Sequence, residues 1–271
     1  MRAPTMTASL IAAMMISAGA AAQTAGARAP AAADPVSGCS ATAGYEAFEF
    51  RDISRNMNPP DASPVKWRGE GPVLAARYQR THPRSSHIAD VTFADFGHFE
   101  YVSPSRTLAG AAGDSGSRIE ARYEYRRYFW RDLGMRGLNL GAGIQGIGAR
   151  LALERHISSA ARTSTEIAGG GIAGVVAAQF ARWNRFGAQF TWANGGIVSN
   201  RRTEHSADPQ SVVSTSGGNW LSDLTVGAEY RITAGLRVTA AWRTQAAGYA
   251  SSHMSFDEQR HSITAGLVYA R

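Results

Sequence analysis

Residues 219–232 read Asn219-Trp220-Leu221-Ser222-Asp223-Leu224-Thr225-Val226-Gly227-Ala228-Glu229-Tyr230-Arg231-Ile232. Trp220, Leu224, Val226, Ala228, Tyr230 and Ile232 fall on one face, and Asp223, Thr225, Gly227, Glu229 and Arg231 on the other. Side chains of a strand alternate between faces, so this is a strand with one apolar and one charged side. Trp220 and Tyr230 stand ten residues apart on the apolar face. At about 3.3 Å per residue and a tilt near 40°, that is roughly 25 Å along a bilayer normal, the height of an apolar band between two aromatic girdles.

The segments on either side repeat the design. Thr233-Ala234-Gly235 makes a hairpin turn, after which Leu236, Val238, Ala240 and Trp242 point one way and Arg237, Thr239, Ala241, Arg243 and Gln245 the other. In 185–194, Phe186, Ala188, Phe190 and Trp192 oppose Arg185, Gly187, Gln189 and Thr191; in 118–126, Ile119, Ala121, Tyr123 and Tyr125 oppose Glu120, Arg122, Glu124 and Arg126. The glycine-rich stretches 137–148 and 169–171 read as weaker strands. The first strand, about 44–52, is weakest, because Tyr45, Phe48 and Phe50 do not keep one phase.

Ten such stretches are separated by gaps that alternate in length. Short gaps fall at 82–85, 132–134, 183–184 and 233–234, and long ones at roughly 53–70, 102–117, 156–165, 201–217 and 249–259. An even number of antiparallel strands with tight turns at one end and long loops at the other is the pattern of a bacterial outer-membrane barrel. The expected fold is therefore all-β, an antiparallel up-and-down transmembrane barrel of about ten strands, with eight or twelve as alternatives. A soluble β-sandwich also shows short alternating strands. The lipid-width aromatic spacing and the long-short rhythm favour the barrel.

The N-terminus fits export in a Gram-negative cell. Arg2 precedes a short apolar core from Leu10 to Ile16, and Ala20-Ala21-Ala22 offers small residues for cleavage, so residues 1–22 read as a signal peptide. Residues 23–43 are rich in Ala and Pro and are expected to form a disordered periplasmic leader, with the barrel over 44–271. Cys39 is the single cysteine, so no intramolecular disulfide forms; it reads as a free thiol in that leader. Beyond residue 22 no apolar run approaches 18 residues, which excludes a helical membrane protein. The formal net charge is +7, and 27 of the 28 basic residues are arginine, Lys66 being the exception. Export argues against nucleic acid as the partner of this charge. Arginine forks suit lipid phosphates, including those of lipopolysaccharide, or carboxylates within a lumen.

The last residues, Thr264-Ala265-Gly266-Leu267-Val268-Tyr269-Ala270-Arg271, resemble the C-terminal signal of outer-membrane barrels: a polar residue, a glycine two on, then apolar residues at alternating positions. The family's terminal aromatic is replaced by Arg271. The resemblance covers about residues 44–271 as a pattern and implies recognition by the barrel-assembly machinery. It specifies the class and no activity.

Three sets of residues could carry chemistry, in the lumen, at the rim and in the loops, beside a set that would form the membrane girdle. Glu120, Arg122, Glu124, Arg126, Asp223, Glu229, Arg231, Arg237 and Arg243 would face the lumen as a charge network. At eight strands side chains just fill a barrel, and aqueous channels need about sixteen, so a ten-strand lumen lined with Arg and Glu should close on its own ion pairs. Phe180, Trp183, Phe186, Trp220, Tyr230, Trp242 and Tyr269 would form the membrane girdle. At the rim, Glu154, His156 and Ser158 share one strand face, the one local trio suited to general-base chemistry. Some outer-membrane enzymes, the omptin proteases and lipid A deacylases among them, work from the barrel rim or wall. The loops 53–70 and 201–217, the latter with Arg201, Arg202, Glu204 and His205, suit an extracellular ligand. No zinc-type spacing or nucleotide fingerprint occurs, and no cofactor is expected. The reading is a structural or surface-interaction barrel with a largely packed lumen. A narrow pore and a rim hydrolase acting on lipid A or peptides are the alternatives.

Overall fold

The computed structural model describes residues 36–54, 65–103, 106–109, 114–131, 138–156, 162–183, 185–205, 212–215, 219–250 and 254–270. Their strands are β1 (Val36–Ser54), β2 (Val65–Thr81), β3 (Ser85–Phe96), β4 (His98–Ser103), β5 (Arg106–Ala109), β6 (Ser115–Arg131), β7 (Leu138–His156), β8 (Arg162–Trp183), β9 (Phe186–His205), β10 (Val212–Thr215), β11 (Asn219–Arg231), β12 (Leu236–Ala250) and β13 (Met254–Ala270). Every pairing among the described strands is antiparallel, and each joins strands next to or near one another in the chain, except that β1 also pairs with β13, from Gly38 opposite Ala270 to Ser54 opposite Met254. That seam closes the sheet.

The thirteen segments form a wall of ten strands. β3 and β4 both run along β2, interrupted at Gly97; β5 and β6 continue one another beside them, and β10 and β11 both run along β9. At the seam the strands approach closely. A Cβ on Gly44 would strike the Ile263 carbonyl oxygen, and one on Gly266 that of Ala41. Glycine is needed at these two points for the ladder to close.

Alternation sorts side chains to two surfaces. Tyr45, Leu74, Tyr78, Ile119, Tyr123, Ile144, Val176, Phe190, Trp192, Val226, Val238, Ile263 and Leu267 are exposed on the outer wall. An exposed apolar girth of this extent on a closed sheet is stable against hydrocarbon and not against water. Above it the outer wall turns charged, with Arg68 bonded to Glu49 at 2.9 Å and Arg150 to Glu166 at 2.6 Å. The start of β1 at Val36, the end of β13 at Ala270 and the tight turns at 82–84 and 232–235 lie at the other end, which in such barrels faces the periplasm.

Two boundaries differ from the sequence expectation. β1 begins at Val36, so residues 36–43 are strand; Cys39 lies opposite Tyr78 and Tyr269, half-buried, and is no part of a leader. Parts of the long gaps are also strand: residues 65–70, 106–109, 201–205, 212–215 and 254–259 all pair. Above the bilayer both faces of a strand meet polar surroundings, so the alternation that marks a membrane strand fades there.

Inside the extracellular half, Phe48, Phe50, Val73, Ala94, Phe96, Leu151, Leu153 and Ile167 form an apolar plug, with Trp67 packed against it. The rings of Phe48 and Phe96 are 4.7 Å apart. This explains the broken phase of the first strand, because Tyr45 faces out while Phe48 and Phe50 face in and are buried.

Candidate functional site

Beneath the plug lies a belt of ion pairs built by alternation on β6. Arg118, Glu120, Arg122, Glu124 and Arg126 are successive inward residues of one strand, so adjacent members carry opposite charge and reach different walls. Glu120 is bonded to Arg118 at 2.9 Å, Arg243 at 2.7 Å and Arg260 at 2.8 Å. Arg118 also holds Glu46 of β1 through two hydrogen bonds, and Arg260 holds Glu258 at 2.5 Å. Arg122 bridges Asp90 of β3 and, at 3.1 Å, Asp223 of β11. Arg243 closes the circuit on Asp223 at 2.6 Å, and Arg77 caps Asp90 at 2.6 Å.

The order of strands around the wall gives these distances their meaning. β6 and β12 are five places apart in a ring of ten, so the Glu120–Arg243 bond crosses a full diameter. β6 and β11 are four apart, and the Arg122–Asp223 bond crosses almost as far. Within this belt the five guanidiniums of Arg77, Arg118, Arg122, Arg243 and Arg260 meet the five carboxylates of Glu46, Asp90, Glu120, Asp223 and Glu258. The set is neutral. Neutrality with several bonds per charge is what lets such groups sit out of water, since an unpaired buried charge costs several kcal/mol (about 3–5 when one partner is removed).

The sequence-expected lumen residues divide three ways. Glu120, Arg122, Asp223 and Arg243 lie in the belt. Glu124 and Arg126 pair with each other beside it, Arg126 also donating to Thr191 at 3.0 Å, and Glu229 pairs with Arg237 at 2.9 Å nearer the periplasm. Arg231 is exposed at the end of β11 and makes no ion pair among the described residues, so it is no member of the network. Alternation did not point to Glu46, Asp90 or Glu258, which sit on strands whose two faces are similarly apolar or similarly polar. Arg118 shares the face of Glu120 and was legible from the same register.

Of the girdle residues, Phe180, Phe186, Trp220, Tyr230 and Tyr269 are exposed on the outer wall. Trp220 lies over Gly248, the residue opposite it on β12, which leaves room for the indole. Trp242 is exposed but stands opposite Val226 and Ile263, in the middle of the apolar band and not at its edge. The side chain of Trp183 lies outside the described residues. At the rim, Glu154 is exposed on the outer wall, its neighbours Leu151 and Leu153 facing in. His156 ends β7 opposite Arg162, and its side chain, like Ser158, lies outside the described residues. Loop residues 206–211 and 216–218 lie outside them too.

On the periplasmic side of the belt the lumen opens into a vestibule of about 360 Å³. Its wall mixes Thr42, Gln79, Gln189, Thr239 and Ser262 with alanines, and Arg77, Arg122 and Arg243 line it with their charges already paired.

No protein-family model matches the chain, and no curated protein matches it. Among solved structures, the outer-membrane protease OmpT from Escherichia coli superposes with a TM-score of 0.64, at 12% identity over 90% of this chain and 99% of that one. OprG from Pseudomonas aeruginosa gives 0.43 at 6% identity over 88% of this chain and 96% of that one. The translocator domain of the autotransporter NalP from Neisseria meningitidis gives 0.42 at 9% identity over 97% of each. At such identities the likeness to OmpT bears on the fold alone. The apolar outer girth, the closed ten-strand ladder and the charged interior make this chain an outer-membrane β-barrel.

Proposed function

We propose that the protein is a non-conducting barrel with a structural or surface-interaction role, presenting its charged extracellular wall to the exterior. One observation carries this: the bond from Glu120 to Arg243 spans the lumen across its diameter. A hydrated solute would have to break several charge-assisted bonds there and then displace the apolar plug above them. The length of the wall supports a role outside. Residues 200–205 of β9 continue past the apolar band, and six residues at about 3.3 Å and a tilt near 40° add roughly 15 Å of height. There the wall carries Arg150, Glu154, Glu166 and Arg201. Such a polar collar suits contact with surface sugars or proteins.

The test is swelling of proteoliposomes in isotonic arabinose. The refolded barrel should leave the swelling rate at that of empty liposomes. A rate that rises with the amount of barrel would support the narrow pore in its place.

A further inference from the structure

Where the outer wall meets the periplasm, one patch carries cationic groups with no acid beside them among the described residues. Arg80 at the end of β2, Arg84 in the turn and Arg127 on β6 are all exposed, and none of the three forms an ion pair among the described residues. The ladder brings them together. Arg80 is opposite His87, His87 is opposite Tyr125, and Ser85 is opposite Arg127, while the Tyr128 N–H donates to the Arg84 carbonyl at 2.9 Å. Neighbouring strands lie about 4.8 Å apart, so these groups surround a spot roughly 10 Å across.

His87 is fixed at the centre. Its Nδ1 is 2.6 Å from the Tyr123 hydroxyl, its ring lies 5.1 Å from that of Tyr125, and His82 meets it edge-on at 5.9 Å. Along the strands toward the bilayer the patch passes directly into Tyr78, Leu74, Tyr123 and Ile119, which are exposed on the lipid-facing wall. On the extracellular wall Arg68 is neutralised by Glu49 and Arg150 by Glu166, whereas these three arginines cluster beside an aromatic group with no carboxylate partner among the described residues.

We infer that this patch binds the headgroup of an anionic phospholipid in the periplasmic leaflet. Arg80, Arg84 and Arg127 would surround the phosphate, and the His87–Tyr123–Tyr125 cluster would stack at headgroup depth while the acyl chains follow Tyr78 and Tyr123 into the band. Guanidinium forks match phosphate oxygens, aromatic rings favour the interface, and basic groups near a membrane attract anionic lipid. The apolar wall below separates this ligand from a free phosphate, which would gain nothing from it.

The experiment is lipid titration of the full-length barrel in dodecylmaltoside micelles, read by native mass spectrometry. Phosphatidylglycerol is compared with phosphatidylcholine. The wild type should prefer phosphatidylglycerol by about tenfold, a difference of about 1.4 kcal/mol. The triple variant R80A/R84A/R127A should bring the two lipids within about twofold, while R185A/R231A, altering other turns of the same rim, should leave the preference intact. If the triple variant does not fold, Arg84→Gln, in the turn and outside the ladder, should lower the preference by itself. Equal binding of both lipids by the wild type, a preference kept by the triple variant, or one lost equally in R185A/R231A would overturn the assignment. So would displacement of phosphatidylglycerol by millimolar inorganic phosphate, which would mark an ion site in place of a lipid site.

Discussion

Replacing Glu120 by Gln removes one carboxylate from the centre of the belt while keeping its size. Glu120 holds three guanidiniums at 2.7–2.9 Å, and its side chain is 2% exposed. Each arginine keeps one other partner, Glu46 for Arg118, Asp223 for Arg243 and Glu258 for Arg260. The belt nevertheless becomes five positive against four negative charges, and the new amide NH2 points a donor at donors. An uncompensated buried charge of this kind costs about 3–5 kcal/mol. With a urea slope of about 2 kcal/mol per M, the unfolding midpoint in detergent should fall by roughly 1.5–2.5 M at unchanged slope. Adding Arg243→Met restores neutrality, so the double variant should be more stable than the sum of the two single changes by at least about 1 kcal/mol. A loss below about 1 kcal/mol for Glu120→Gln would refute the reasoning, because it would mean that water solvates the three guanidiniums and that the belt is not dry.

Phe96→Ala, emptying a fully buried position against Phe48, should cost about 3–5 kcal/mol in the same urea titration. Glu229→Gln should cost less than about 1 kcal/mol, since Glu229 and Arg237 form a partly solvated pair, their side chains 38% and 26% exposed. Gly44→Val should lower the yield of heat-resistant folded barrel on cold electrophoresis, because its Cβ strikes the Ile263 carbonyl and opens the β1–β13 seam.

How much was legible in the sequence depended on the surroundings of each strand. Where one face meets lipid and the other a polar lumen, as in 219–232 and 118–126, alternation gave both the strand and which side chains face the lumen, except at the strand end, where Arg231 is exposed. Where the interior itself is apolar, as around Phe48 and Phe50, the two faces resemble each other and the phase was lost, and Glu46 with it. Above the membrane both faces are polar, so residues 201–205 and 212–215 read as loop although they pair. Trp242 was assigned to the girdle by its chemistry, whereas its height is set by register against Val226 and Ile263, which a single strand does not disclose. The partners of Glu120 were hidden for the same reason. Arg243 and Arg260 are distant in sequence and meet it only because the sheet closes on itself.

The central claim is that side chains close the lumen, and current through a single refolded barrel in a planar bilayer tests it most directly. A verified folded barrel should give a flat baseline at 100–150 mV (roughly 2.3–3.5 kcal/mol per charge moved across the membrane), and Glu120→Gln should be the variant that begins to flicker. Discrete, reproducible steps from the wild type would contradict the account, since ions would then be passing the bond between Glu120 and Arg243.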